Sequence, residues 1–171
     1  MVNQESGVGA AVCNYISARS LDDVKYMLEH IGNVKANPVL CEWAALSDHI
    51  EVFEHVISLF TLDQLEDDAV DCIITQTLTR DRNHLGFLQA FLKHYGLSST
   101  ILRPTTETLH NMVIYNSHHT LDYYFNTPSF TNMSQSERLS IIHSIKDKGY
   151  EYGTTRVIKL CNDQINAISY S

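Results

Sequence analysis

Apolar residues along the chain recur at helical spacing. Within residues 43–57, WAALSDHIEVFEHVI, four apolar side chains share one helix face. These are Ile50, Phe53, Val56 and Ile57. Asp48 followed by Glu51 resembles a capping box and predicts a helix start near residue 48. Residues 43–45 therefore belong to a separate helix that precedes it.

The same four-position pattern recurs in full from Leu21 and Leu85 and only in part from Leu121 and Thr154, and a shorter apolar segment precedes each copy. The first positions of the copies are Leu21, Ile50, Leu85, Leu121 and Thr154, at separations of 29, 35, 36 and 33 residues. Recurrence at the length of one supersecondary unit is typical of helical solenoids. We therefore predict an all-α fold, an α-solenoid of about four to five stacked helix-turn-helix repeats. A single domain would cover residues 1–171, with approximate repeats 10–37, 38–66, 67–103, 104–136 and 137–165.

Two local signals refine this prediction. Ser134 and Glu137 form a capping box that predicts another helix start. Asn126-Thr127-Pro128-Ser129 indicates a loop after a short helix.

Part of the sequence resembles the ankyrin repeat. Ala44-Ala45 match the paired alanines of its consensus, and His49-Ile50-Glu51-Val52 match the opening of its second helix. Thr108-Leu109-His110 is similar to the Thr-Pro-Leu-His entry of the first helix, and residues 83–96 are similar to a second helix with its closing glycine. Asp48 replaces the usual glycine, and most hairpin glycines are missing. The resemblance implies a divergent ankyrin-like array that binds a partner protein through its concave face.

The ankyrin register also implies where the partner would make contact. The variable contact positions of that family follow the paired alanines and lie in the preceding hairpin. In this sequence the corresponding residues are Leu46, Ser47, Asp81, Arg82, Ser117 and His118.

Composition narrows the classes of partner and compartment. The net charge of −8 argues against a nucleic-acid backbone, because phosphate binding needs a basic patch. No apolar run approaches the roughly 20 residues that span a bilayer, so no membrane partner is expected. Four cysteines without a CxxC pair or a signal-peptide pattern indicate a reducing, cytoplasmic location. By analogy, the chain is also similar to effectors that intracellular bacteria secrete into a host cell cytosol.

No motif in the sequence points to catalysis, a cofactor or a metal. Cys13, Cys41 and Cys72 recur in the first-helix segments, where packing between helices explains them better than metal binding. His49 and His55 are six residues apart and so lie on different faces of one helix. Tyrosines concentrate in the C-terminal third, which fits either an interface or a core that uses aromatic residues.

Three functional classes stay open. A protein-binding module is the main prediction, and we expect no enzymatic activity. An enzyme or enzyme regulator with a site in the divergent C-terminal part is the first alternative, and convergent His, Cys or Asp groups in a pocket would favour it. A structural subunit of a larger assembly is the second, and an exposed apolar end cap would favour it.

Overall fold

The computed structural model describes residues 20–30, 37–79 and 84–170, and over these residues all regular secondary structure is helical, without strands. This confirms the all-α prediction. The described helices are α1 (Leu21–His30), α2 (Val39–Ala45), α3 (Ile50–Ile57), α4 (Asp67–Thr79), α5 (His84–His94), α6 (Thr106–Ile114), α7 (His118–Phe125), α8 (Pro128–Thr131), α9 (Gln135–Tyr152) and α10 (Thr155–Ser169). Short 3-10 turns occupy Leu62–Gln64 and Ser99–Ile101. None of the described helices is both long and apolar enough to cross a membrane.

Local sequence explains several of the helix boundaries. The predicted capping box at the start of α9 is confirmed, because Ser134 Oγ accepts from the Glu137 N–H at 3.3 Å and the Glu137 carboxylate accepts from the Ser134 N–H at 2.9 Å. The same helix ends at Gly153, whose φ of 67° is the left-handed conformation that glycine adopts most easily. At the start of α1, Ser20 Oγ lies 3.4 Å from the Asp23 N–H.

The stretch around residue 48 forms two helices, as predicted, because α2 ends at Ala45 and α3 begins at Ile50. The predicted capping box of Asp48 and Glu51 is wrong. His49 is the N-cap residue, its side chain makes no capping bond, and its Nδ1 instead lies 3.5 Å from the Glu51 carboxylate. The predicted loop at 126–129 is also partly wrong. Pro128 is the first residue of α8, where a proline loses no helical hydrogen bond.

The chain divides into two compact units. The first contains the described residues up to Thr77 together with Gln89–Gly96. In this unit α3 packs against both α1 and α2. The contact faces are apolar, and Val24, Leu40 and Phe53 are fully buried. Burial of these faces is the main stabilising contribution, because helices this short are marginal in isolation.

The second unit contains the described residues of Leu78–Leu88 and those from Leu97 onward. Two helix pairs stack here: α6 packs on α7, α9 packs on α10, and across the pairs α6 contacts α9 while α7 contacts α10. The first helices of the two pairs, α6 and α9, thus contact each other, and so do the second helices, α7 and α10. Gly149 lets α9 and α10 approach closely, since a Cβ atom there would lie 3.0 Å from Cγ1 of Ile158.

The described helices do not show ankyrin repeats. The range 38–66 holds α2 and α3, 67–103 holds α4 and α5, and 104–136 holds α6 to α8. The helices α9 and α10, with 18 and 15 residues, extend beyond 137–165 at both ends. Together the two helices fill the length of one ankyrin repeat, about 33 residues, and leave no room for its β-turn. The solenoid and the single repeat domain stay predictions.

Candidate functional site

The residues predicted to contact a partner lie mainly at helix corners. In the first unit, Leu46 follows α2 and is half-buried, whereas Ser47 is fully buried. The Ser47 hydroxyl donates to the His49 carbonyl oxygen at 3.2 Å. Ser47 therefore shapes the corner between α2 and α3, and Leu46 is the member of this pair that offers surface.

The corner between α6 and α7 repeats this arrangement within the second unit. Ser117 is only 3% exposed, and its hydroxyl donates to the Thr79 carbonyl oxygen at 3.2 Å. His118 is half-buried, and its Nδ1 lies 3.0 Å from the Asn116 carbonyl oxygen. Asn116 adopts a left-handed φ of 54°, which asparagine tolerates better than most residues. Asp81 and Arg82 lie outside the described residues.

The second unit also contains an open groove between α6 and α9, which the sequence analysis did not identify. It encloses about 520 Å³. Its lining side chains are His110, Ser140, His143, Ser144, Asp147, Lys148 and Glu151. Four of them, at 140, 144, 147 and 151, follow helical spacing along α9. The sequence contains that polar stripe as a signal. It does not show that α6 lies beside the stripe.

One hydrogen bond crosses the groove. His110 Nε2 on α6 and Ser144 Oγ on α9 lie 2.9 Å apart, within reach for a base and a nucleophile. Ser144 lies in the middle of α9, however, where the neighbouring backbone N–H groups already bond along the helix. Those groups cannot form an oxyanion hole, which acyl transfer needs. The pair therefore acts as a polar link between two packed helices.

The remaining charged groups of the groove divide into paired and unpaired ones. Lys148 Nζ donates to the Glu151 carboxylate at 2.8 Å and lies 4.9 Å from the centre of the Tyr152 ring. The Glu151 carboxylate raises the pKa of Lys148. His143 and Asp147 are exposed, and neither has a hydrogen-bond or ion-pair partner among the described residues. Both side chains are therefore available to a ligand.

The three cysteines among the described residues provide no reactive group. Cys41 and Cys161 are fully buried, which confirms the packing role predicted for Cys41, and burial raises the pKa of each thiol to about 12. Cys72 is half-buried, and burial followed by a hydrogen bond to Glu42 raises its pKa to about 11. Thiols with such pKa values stay protonated near neutral pH and are poor nucleophiles and ligands. Cys13 lies outside the described residues.

No three His, Cys, Asp or Glu side chains converge to hold a metal ion in the part of the chain that the structure describes. His55 lies in α3, whereas His49 is the N-cap residue before it, so the prediction that both lie on one helix is wrong.

The tyrosines of the C-terminal third divide between core and surface. Tyr124 is 1% exposed and meets Phe130 edge-on, with ring centres 5.3 Å apart. Tyr150 and Tyr152 are 61% and 47% exposed at the end of α9. Lysine ammonium groups lie over both exposed rings, Lys146 at 5.9 Å from that of Tyr150. Aromatic residues of this part of the chain therefore contribute to the core, and Tyr150 and Tyr152 leave aromatic surface exposed; whether that surface is an interface stays a prediction.

Comparisons with known proteins found no match to this chain. No protein-family model matches it, and neither a curated protein nor a solved structure does.

Proposed function

We propose that this chain is a protein-binding module that recognises its partner through the groove between α6 and α9. The observation that carries the proposal is the groove itself: an open depression of about 520 Å³ with polar side chains on both walls. Its lining is rich in hydrogen-bonding groups that can orient a peptide segment. Tyr150 and Tyr152 extend from the same helix, and exposed tyrosines are common anchors in protein interfaces.

The place of the groove in the helix order supports a binding role. Both α6 and α9 are the first helices of their pairs, and in the predicted array the first helices would line the concave face. In helical arrays, this face presents side chains from successive units to one ligand. His118, in the same unit as the groove, retains accessible surface and is proposed as an additional contact. Leu46, Asp81 and Arg82 stay contacts predicted from the ankyrin resemblance alone.

A second candidate function, hydrolysis, is favoured by the 2.9 Å contact between His110 and Ser144. It is the weaker proposal, because Ser144 has no free backbone donors beside it. Turnover of p-nitrophenyl acetate by the wild type, lost in Ser144→Ala, would support an enzyme. Equal rates for the two proteins would count against one.

A groove-filling variant tests the binding proposal. Ser140 is exposed on the groove wall, so Ser140→Trp should occupy the groove without disturbing the core. The matched control is Asn166→Trp, which adds the same side chain at an exposed position of α10 outside the groove. Both variants and the wild type are compared by affinity capture with mass spectrometry, after circular dichroism shows equal helicity.

We expect the wild type and Asn166→Trp to retain a common partner that Ser140→Trp loses. Retention of the same partners by all three folded proteins would contradict the assignment of the groove.

A further inference from the structure

We propose that the groove between α6 and α9 receives a basic side chain of the partner, a lysine or an arginine, with Asp147 as its counter-charge. This inference rests on the proposed function and specifies the chemistry of the occupant.

The charges of the groove favour a cation. Two carboxylates, Asp147 and Glu151, line the groove, against one ammonium group, that of Lys148. The Glu151 carboxylate is already paired with Lys148, whereas that of Asp147 has no partner among the described residues. One negative charge of the groove is thus left for a ligand.

An ammonium group already occupies one edge of the groove. Lys148 Nζ lies between the Glu151 carboxylate, at 2.8 Å, and the face of Tyr152, at 4.9 Å. A carboxylate and an aromatic face are the two surroundings that best hold a Lys or Arg head group. The same surroundings therefore suit a partner's cation, and Lys148 is its internal competitor.

The net charge of the whole chain favours a basic occupant of the groove over an acidic one. With a net charge of −8, the chain attracts a basic segment over distance and repels an acidic one. The same charge disfavours a second copy of this chain as the occupant.

Two synthetic probes test the inference on the full chain. The first is a fluorescein-labelled peptide of four Gly-Lys-Ser units, and the second replaces each lysine with glutamate. Binding is followed by fluorescence anisotropy at low and at moderate salt. We expect the lysine peptide alone to bind, and more weakly as salt rises, because added ions screen the attraction.

Two substitutions with opposite effects on charge locate the binding. Asp147→Asn should weaken binding of the lysine peptide roughly threefold to tenfold, the range for one charge-assisted contact. Lys148→Gln should strengthen it, because the competing ammonium group is removed. The matched control is Asp163→Asn, which removes an exposed carboxylate on α10 that pairs with Lys159 outside the groove. We expect this control to bind like the wild type.

Any of three other outcomes would overturn the inference. If Asp163→Asn weakens binding as much as Asp147→Asn, the peptide senses net charge and not the groove. No binding of the lysine peptide, or no gain in Lys148→Gln, equally rules out a cation site there.

The affinity-capture experiment with Ser140→Trp distinguishes failure of the groove as a binding site from failure of the proposed cation site. Loss of partner capture in Ser140→Trp, with lysine-peptide binding unchanged in Asp147→Asn, would leave the groove as the binding site and reject the cation. If neither variant has any effect, both proposals are wrong.

Discussion

The Tyr95 hydroxyl donates a hydrogen bond to the carbonyl oxygen of Ile57, 3.0 Å away, at the end of α3. It also lies 3.3 Å from the Phe60 carbonyl oxygen. The last carbonyl groups of a helix lack partners within the helix, and Tyr95, which directly follows α5, adds a donor to the end of α3. Burial raises the pKa of Tyr95, so the hydroxyl keeps its proton well above neutral pH.

Tyr95→Phe should therefore lower the free energy of unfolding by about 1–2 kcal/mol, because the carbonyl oxygens of Ile57 and Phe60 lose the one hydroxyl proton that they share. The measurement is urea unfolding followed by circular dichroism. Tyr26→Phe is the control, since Tyr26 is 63% exposed and its hydroxyl makes no described hydrogen bond. Equal stability of the two variants would show that the Tyr95 bond contributes nothing.

Gly149→Leu should destabilise the second unit by about 1–3 kcal/mol, because extra carbon atoms would overlap Ile158 where α9 and α10 meet. Thermal unfolding measures the effect. Ala167→Leu places the same side chain at an exposed position of α10 and should change little. A Gly149→Leu protein as stable as Ala167→Leu would contradict the close helix approach.

Ser134→Ala should cost about 1 kcal/mol, because α9 loses the acceptor for its Glu137 N–H. Its control is Ser140→Ala, a serine of the same helix that is exposed and makes no described hydrogen bond. Denaturant midpoints of the two variants should differ clearly, with Ser134→Ala the less stable. The reverse order would rule out the capping box as a stabilising feature.

Stability should fall as pH rises from about 9 towards 12, because unfolded thiols ionise at their ordinary pKa while the Cys41 and Cys161 thiols stay neutral when folded. The contribution of these thiols is complete below pH 9 and disappears as pH approaches 12. In Cys161→Ala, the loss between pH 8 and pH 10.5 should be smaller than in the wild type. Urea unfolding at both values measures it, and an unchanged loss would contradict burial of Cys161.

Local sequence determined the secondary structure of this protein well. The apolar spacing from Ile50 to Ile57 and the break before it predicted two helices, and both formed. The Ser134–Glu137 cap was predictable because all of its atoms lie within four residues. Asp48 failed as a cap because His49, one residue later, took the N-cap position. Such boundaries depend on backbone angles that a residue pattern does not contain.

Only the tertiary structure decided which surfaces are covered and which remain open. Ser47 and Ser117, expected in exposed turns, are buried as hydrogen-bond donors. The groove exists because α6 lies beside α9, which brings His110 to Ser144 across 34 residues of sequence. Helical periodicity shows which face of each helix is apolar, but it does not show which other helix packs against that face. The physical reason is that apolar burial is non-directional, so the partner helix is selected by the packing of the whole unit.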